Sequence, residues 1–278
     1  MTTLTAKLQA VLARIAGAAR QYGRDPADVG LLAVSKNWPA ATVRELAAAG
    51  QRAFGESYVQ EGLAKIDELR ALGLDWHFIG SLQANKTRLV AEAFDWVHSI
   101  DQLRIAQRLS EQRPATLSPL SVCLQVNVSG EASKGGVSPA AAPGTGACGG
   151  GTAEAAAAWA DGPIPAPSDD FMEQRGPFRC LRELSEQLQA DGLLLDTLSM
   201  GMSHDLEAAI AEGRRWCVWA PQFLVREDED HFPWRGQHGQ RTDRRADEDR
   251  FRGQRHRGHR AGCAGARQAA AGLRRPLL

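Results

Sequence analysis

The chain has no stretch of 18 or more apolar residues, although 43% of its 278 residues are apolar, so the sequence predicts no membrane-spanning helix. Its start, Met1-Thr2-Thr3-Leu4-Thr5-Ala6-Lys7, lacks the charged opening and apolar core of a secretory signal. The five cysteines (Cys123, Cys148, Cys180, Cys217, Cys263) are scattered and form no C-x-x-C pair, which argues against a disulfide framework or a zinc site and for reduced thiols in the cytoplasm. Only two tyrosines occur, Tyr22 and Tyr58, so phenolic acid/base candidates are few. Lysine is absent from 214–278, where 15 arginines face 8 acids. That surplus of seven positive charges is balanced by the preceding 213 residues, so the net charge of zero hides two unlike parts.

What is present is a regular alternation. Leu4, Leu8, Val11, Leu12, Ile15 and Ala19 recur at helical spacing. An apolar strand at 30–35 then leads to a helix opening near Pro39, a residue suited to a first turn. Strands at 52–55, 75–80 and 96–100 alternate with helices carrying Leu63, Ile66 and Leu69, then Leu89 and Val90, then Ile105 and Leu109, and a strand at 120–128 closes the run. Five such units before residue 130 imply parallel pairing with right-handed crossovers and favour an α/β fold of the (β/α)8 TIM type over a doubly wound sheet. Residues 139–162, rich in Pro, Gly and Ala, show no usable period. The pattern returns with a helix through Phe178, Leu181, Leu184 and Leu188, a strand at 193–198 and a helix at 205–212. The expected organisation is an incomplete barrel over 1–213, irregular at 139–162, and a disordered Arg-rich tail over 214–278.

Lys36 ends the first apolar run, Leu31-Leu32-Ala33-Val34-Ser35. A lysine at the carboxyl end of a barrel strand stands where active groups of such folds gather, and an amine in apolar surroundings can attack an aldehyde. By itself it reads first as a lysine emerging into solvent at a strand end.

Six stretches together sharpen that choice: LLAVSKN (31–37), FGESYVQE (54–61), WHFIGSLQANKTR (76–88), HSID (98–101), QVNVSGEASKGG (125–136) and LSMGMSHDLEAAIAEG (198–213). At these motifs the chain resembles the pyridoxal phosphate homeostasis proteins, relatives of the alanine racemase N-terminal barrel. The resemblance implies a single barrel that binds pyridoxal 5′-phosphate (PLP) as an internal aldimine of Lys36, serves intracellular PLP homeostasis and turns nothing over. It also implies that His77 lines the cofactor pocket, with Asn85 and Lys86 just beyond that strand, and that Ser199, Met200, Gly201 and Ser203 offer backbone N–H groups and a hydroxyl to the phosphate. Ser57 stands where the family usually has asparagine. His77 reads equally as a satisfied strand histidine, Ser199 and Ser203 as caps of the following helix, and Lys134 as a solvated loop lysine. The implied partners are PLP and PLP-dependent apoenzymes, and the protein is expected to be a monomer.

A second reading is a PLP-dependent amino-acid racemase. A two-base racemase needs an acid/base on the opposite face of its substrate, in the racemases a tyrosine from a partner's β domain, and nothing after residue 213 has strand periodicity. A third reading is nucleic-acid binding by the arginine tail, disfavoured because no aromatics interleave with the charge. His256 and His259 lack a third ligand nearby, and Gly149-Gly150-Gly151 neither follows a strand nor opens a capped helix, so no metal site or phosphate loop is expected.

The chain departs from the resemblance twice. A sixth-strand segment like LRLRGLMAIPAP survives only as Ile164–Pro167, and the last strand, which should resemble VRIGTAIFG and supply a Gly-Thr to the phosphate, is missing. Codons compatible with 140–162, read one nucleotide later, can spell QRLPALARAVAA followed by LPKLRLRGLMA. Codons for Arg214–Arg226, read one nucleotide earlier, can spell ATLVRMGTAIFGA. Codons for Asp228–Arg245, read one nucleotide later, can spell MKTIFLGGGNMASALIGG, which resembles the start of a pyrroline-5-carboxylate reductase. The expectation is therefore a family member interrupted by frameshifts near 139–162 and from 214. Resequencing the coding DNA is expected to show these alternative frames, and coding DNA without alternative-frame continuity refutes it.

Overall fold

A computed structural model describes residues 3–128, 135–142, 156–159, 170–213 and 215–219. Eight parallel strands close into a barrel in sequence order: β1 (Gly30–Val34), β2 (Ala53–Glu56), β3 (Asp75–Phe78), β4 (Trp96–Ile100), β5 (Ser121–Gln125), β6 (Ala156–Trp159), β7 (Leu198–Ser199) and β8 (Trp216–Trp219), which returns to β1. The helices are α1 (Leu4–Gln21), α2 (Ala40–Ala48), α3 (Val59–Glu68), α4 (Thr87–Ala93), α5 (Leu103–Gln112), α6 (Phe171–Ala190) and α7 (Leu206–Ala211). None of the helices among the described residues is long and apolar enough to cross a membrane.

Local chemistry sets the ends of these elements. Thr3 caps α1 by accepting from the Ala6 N–H, and Asp170 caps α6 by accepting from Met172 and Glu173. One stripe of each helix is apolar, and it meets the outer face of the sheet. Leu8, Ile15, Val43, Leu46, Phe54, Phe78, Val90, Phe94 and Leu109 form one buried layer around β1–β5, with the Phe78 and Phe94 rings packed edge-on at 5.5 Å. A second layer joins Leu124 and Val126 to Phe178, Leu181, Leu184 and Leu188 of α6 and to Ala208 and Ala209 of α7. The salt bridge from Arg14 to Glu207 (2.6 Å) ties α1 to α7 across the start and end of the barrel.

The (β/α)8 reading holds, and the sheet is meagre where the sequence departs from its resemblance. β7 has two residues and meets β8 in one pair, Ser199 with Trp216. A strand at 156–159 corrects the reading of that stretch as irregular: an alanine run carries no period, yet it can pair with β5 over four residues and with β7 over two. Likewise β8 is drawn from 216–219, beyond the boundary set at 213, because its backbone can pair with β1 over four residues whatever its side chains are. The Arg-rich stretch from 220 onward, Lys134, His256, His259 and Gly149–Gly151 lie outside the described residues.

Inside the barrel, Leu32, Val34, Ala53 and Val218 pack with Ile79 and Trp216. The Trp216 indole lies so close to Gly30 that a Cβ there would come within 2.5 Å of a ring carbon. Gly30→Ala is expected to cost about 1–3 kcal/mol through overpacking, read by urea unfolding, and Trp216→Val in the same chain to restore most of it. An unchanged unfolding midpoint in Gly30→Ala would show that the indole yields freely.

Candidate functional site

The carboxyl ends of β1, β2, β3 and β7 carry the residues that sequence alone singled out. Lys36 is half-buried, two residues past the end of β1. The turn that carries it is held on both sides. Ser35 is buried, and its hydroxyl donates to Glu56 Oε1 at 2.6 Å. Asn37 takes the left-handed conformation at φ +66°, alone among the described non-glycine residues, and its N–H donates to Glu61 Oε1 at 2.6 Å. Between these points sits the Lys65 ammonium. It donates to the Ser35 carbonyl (2.6 Å), Glu56 Oε1 (2.7 Å) and Glu61 Oε1 (2.6 Å), which uses all three of its protons.

Glu56 and Lys65 are an ion pair almost wholly out of water, with side-chain exposures of 0% and 7%. Desolvation raises the Glu56 carboxyl above its ordinary range, and the hydrogen bonds from Lys65 and Ser35 pull it back. Its second oxygen, Oε2, is buried without a partner. Removing one member of such a pair typically costs about 3–5 kcal/mol, because the other charge is left stranded. Sequence reasoning passed over Glu56, Glu61 and Lys65. An i, i+4 pair such as Glu61 and Lys65 reads as solvated surface; the one available signal was that Lys65 shares its helix face with buried Gly62.

The other candidates separate into groups. His77 is wholly buried within the barrel, stacked on Trp96 at 5.4 Å and edge-on to Trp216 at 4.9 Å. Its Nδ1 lies 2.8 Å from His98 Nε2, and His98 Nδ1 lies 2.9 Å from the Ser199 hydroxyl. A polar chain therefore crosses the interior from β3 through β4 to β7, and it brings His77 and Ser199 together. His98 was quoted within a motif but given no role. Burial holds both imidazoles neutral: His77 falls well below its ordinary value, with His98 adding to the effect, and His98 is lowered to about 3.

Neutral imidazoles donate from one nitrogen only, so the chain has two registers. Either His98 Nε2 donates to His77 and accepts from Ser199, or His77 Nδ1 donates to His98, which then donates to Ser199. The second register frees the Ser199 proton for another acceptor. His77 Nε2, at the far end, is buried without a partner.

Beyond β7, Met200 is buried and Gly201 takes φ +75°. The Met202 N–H already donates to Asp205 Oδ1 (2.5 Å), so that amide is committed within the turn. Ser203 Oγ is buried without a hydrogen-bond partner, and its backbone carbonyl accepts from Arg14 at 3.0 Å. Ser57 is half-buried past β2, and its carbonyl would lie 2.3 Å from a Cβ at Gly80, so only glycine fits there. Asn85 and Lys86 lie on a 3-10 turn beyond β3, Asn85 exposed. Among the described residues no group of His, Cys, Asp and Glu is placed to hold a metal ion.

Residues 7–217 match the family described as alanine racemase, N-terminal domain. An alanine racemase from Corynebacterium glutamicum shares the fold at a TM-score of 0.56 and 14% identity, covering 81% of this chain and 63% of that one. The protein is thus of the alanine-racemase N-terminal barrel class. The pyridoxal phosphate homeostasis protein of Pseudomonas aeruginosa is 56% identical over 222 residues, 78% of this chain and 92% of that protein. That of Escherichia coli (strain K12) is 47% identical over 225 residues, 77% and 92%. The structure of PipY from Synechococcus elongatus with PLP bound aligns at a TM-score of 0.66 and 36% identity, over 76% of this chain and all of that one. The chain belongs to the pyridoxal phosphate homeostasis protein family.

The buried histidines make stability acid-sensitive. Unfolded, each imidazole takes up a proton below its ordinary value of 6.5, whereas folded His98 resists until about 3. The unfolded chain therefore binds more protons in that window, and stability present above pH 6.5 is lost as pH falls toward 3, by up to about 1.4 kcal/mol per pH unit for each histidine. Urea unfolding between pH 7 and 4 is expected to show a shallower acid loss in His98→Asn than in the wild type, by about that slope. Equal slopes would place the acid sensitivity elsewhere.

Proposed function

We propose that this chain binds PLP through Lys36 and holds it within the cytoplasm without turning it over, as a monomer that supplies PLP-dependent apoenzymes. The observation that carries the reading is the clamped turn: a half-buried amine at the carboxyl end of β1, with both flanking residues fixed by buried hydrogen bonds. The scattered cysteines, with Cys123 and Cys180 buried as thiols, support a reducing compartment.

The residues present fit the cofactor in part. When bound, PLP supplies an aldehyde and a dianionic phosphate. Lys36 is the amine that would meet the aldehyde. The buried, unpartnered Ser203 hydroxyl and the left-handed Gly201 give the 199–203 turn a free donor and room for an anion. Ser199 can donate in the register where His98 donates to it. The Gly-Thr that the family resemblance places on the last strand is absent, its place in the alternative reading of 214–226 being taken by Ala220-Pro221, so the phosphate would be held mainly from the β7 side. Ser57 and His77 would act on the cofactor's surroundings, His77 through His98 and Ser199.

The racemase reading asks for a second acid/base facing the substrate. Tyr22 stacks on Phe171 at 6.0 Å in the outer helical layer, and Tyr58, at 57% exposure, precedes α3 in open solvent. Neither is held as a buried base would be, which supports binding without turnover.

On addition of PLP, the purified full chain is expected to develop a visible absorbance band, to be fixed covalently at Lys36 by borohydride, and to racemise no alanine. Lys36→Ala is expected to abolish both band and fixation. A band that persists in Lys36→Ala, or measurable racemisation, overturns the proposal.

A further inference from the structure

We propose that Glu56, Lys65 and Glu61 form a buried ionic clamp that positions Lys36 by fixing the two residues on either side of it. The inference rests on the reading of Lys36 as the amine that captures PLP, and it assigns to three residues outside the motif's lysine a role in presenting that amine.

The geometry is specific. One ammonium spends all three protons on Ser35 O, Glu56 Oε1 and Glu61 Oε1, within 2.6–2.7 Å. The same two carboxylate oxygens take the Ser35 hydroxyl and the Asn37 N–H, each at 2.6 Å. Three of these five bonds run from β2 or α3 to residues 35 and 37, the other two join the clamp's own charges, and none is spent on Lys36 itself. Asn37 sits in a left-handed conformation that L-residues adopt at a cost, and such a conformation persists where its surroundings over-determine it. A carboxylate and a lysine paired out of water, with a second, partly exposed carboxylate on the same ammonium, would be an inefficient way to add stability alone. As a clamp the same arrangement gives the turn one conformation and leaves the Lys36 side chain free to react. Asp101, Lys86 and His204 follow β4, β3 and β7 at this end of the barrel, with His77 and His98 held neutral in the interior. Among the described residues, none of these hydrogen-bonds or ion-pairs with residues 35–37.

Positioning and simple structural support separate experimentally. The full chain and the variants Glu61→Ala, Glu61→Gln and Lys65→Met are compared by far-UV circular dichroism, by the rate of covalent capture of PLP, and by affinity for pyridoxamine 5′-phosphate. That analogue carries the phosphate and ring but no aldehyde. Acetylation of Lys36 by trace acetic anhydride, read by mass spectrometry against Lys7 and Lys86, needs no cofactor at all. For Glu61→Ala and Lys65→Met the expectation is PLP capture slowed by about tenfold, pyridoxamine phosphate affinity within about twofold of the wild type, and Lys36 acetylation raised about twofold or more as the loosened amine swings to solvent. Glu61→Gln keeps an oxygen that can accept from Asn37 and Lys65, so it is expected to retain most of the capture rate. Should Lys65→Met fail to fold, the comparison of Glu61→Ala with Glu61→Gln carries the test, because Glu61 is 27% exposed and can be truncated at the surface. Unchanged capture and acetylation in folded Glu61→Ala overturn the clamp, as does parallel loss of capture and analogue affinity. A wild type that captures no PLP refutes the proposed function, while the acetylation contrast still decides the clamp.

Discussion

Closure of the sheet is the constraint on which everything else hangs. A parallel barrel satisfies its backbone only if every strand has two neighbours, because an open edge leaves a row of unpaired N–H and C=O groups beside the core. Here the ring is completed by one pair between β7 and β8 and by two four-residue strands at positions six and eight. The first five strands pair with one another over two to four residues and carry the larger apolar layer, with α1 tying that layer to the end of the barrel through Arg14 and Glu207. Lys36 belongs to the well-made side, whereas Ser199–Ser203 lie beside the thin closure. The two halves of the proposed cofactor site therefore rest on very different foundations.

That asymmetry fits the interior. A residue that reaches the barrel axis must fill the space its neighbours leave, and Trp216 does so by pressing against Gly30 and sharing an aromatic wall with His77 and Trp96. A large indole on the eighth strand fills the interior between β1 and β3.

Much of this was legible in the sequence because it depends on period. The alternation of Leu31–Val34 with the α2 stripe, or of Trp96–Ile100 with Ile105 and Leu109, comes from burial on two faces and one stripe, and burial is what hydropathy records. Lys36 was singled out by its place after an apolar run together with the five other motifs. The clamp was not: Glu56 ends a strand whose sequence, Ala-Phe-Gly-Glu, gives no hint that the carboxylate turns inward, and Lys65 has the spacing of a surface ion pair although it is 5% exposed. The strand at 156–159 was hidden for a different reason. Alanine favours helix over strand, so the strand there runs against local preference and is set by its neighbours β5 and β7.

The interior polar chain raises a further question of economy. Three polar side chains from β3, β4 and β7 occupy space that apolar groups could fill, and a buried imidazole nitrogen is left without a partner. Replacing both members of a buried hydrogen bond by apolar groups of the same shape is often neutral or stabilising, so stability alone does not account for His77, His98 and Ser199. What the chain does provide is direction. Because neither imidazole charges at neutral pH, the proton order along the chain is decided at its two ends, by what His77 Nε2 meets and by what Ser199 meets. An anion beside Ser199 would select the register in which that hydroxyl donates outward, and His98 would then donate to Ser199 from behind. In this arrangement the barrel interior reports on the β7 mouth without moving a strand, which a hydrocarbon core of equal volume could not do.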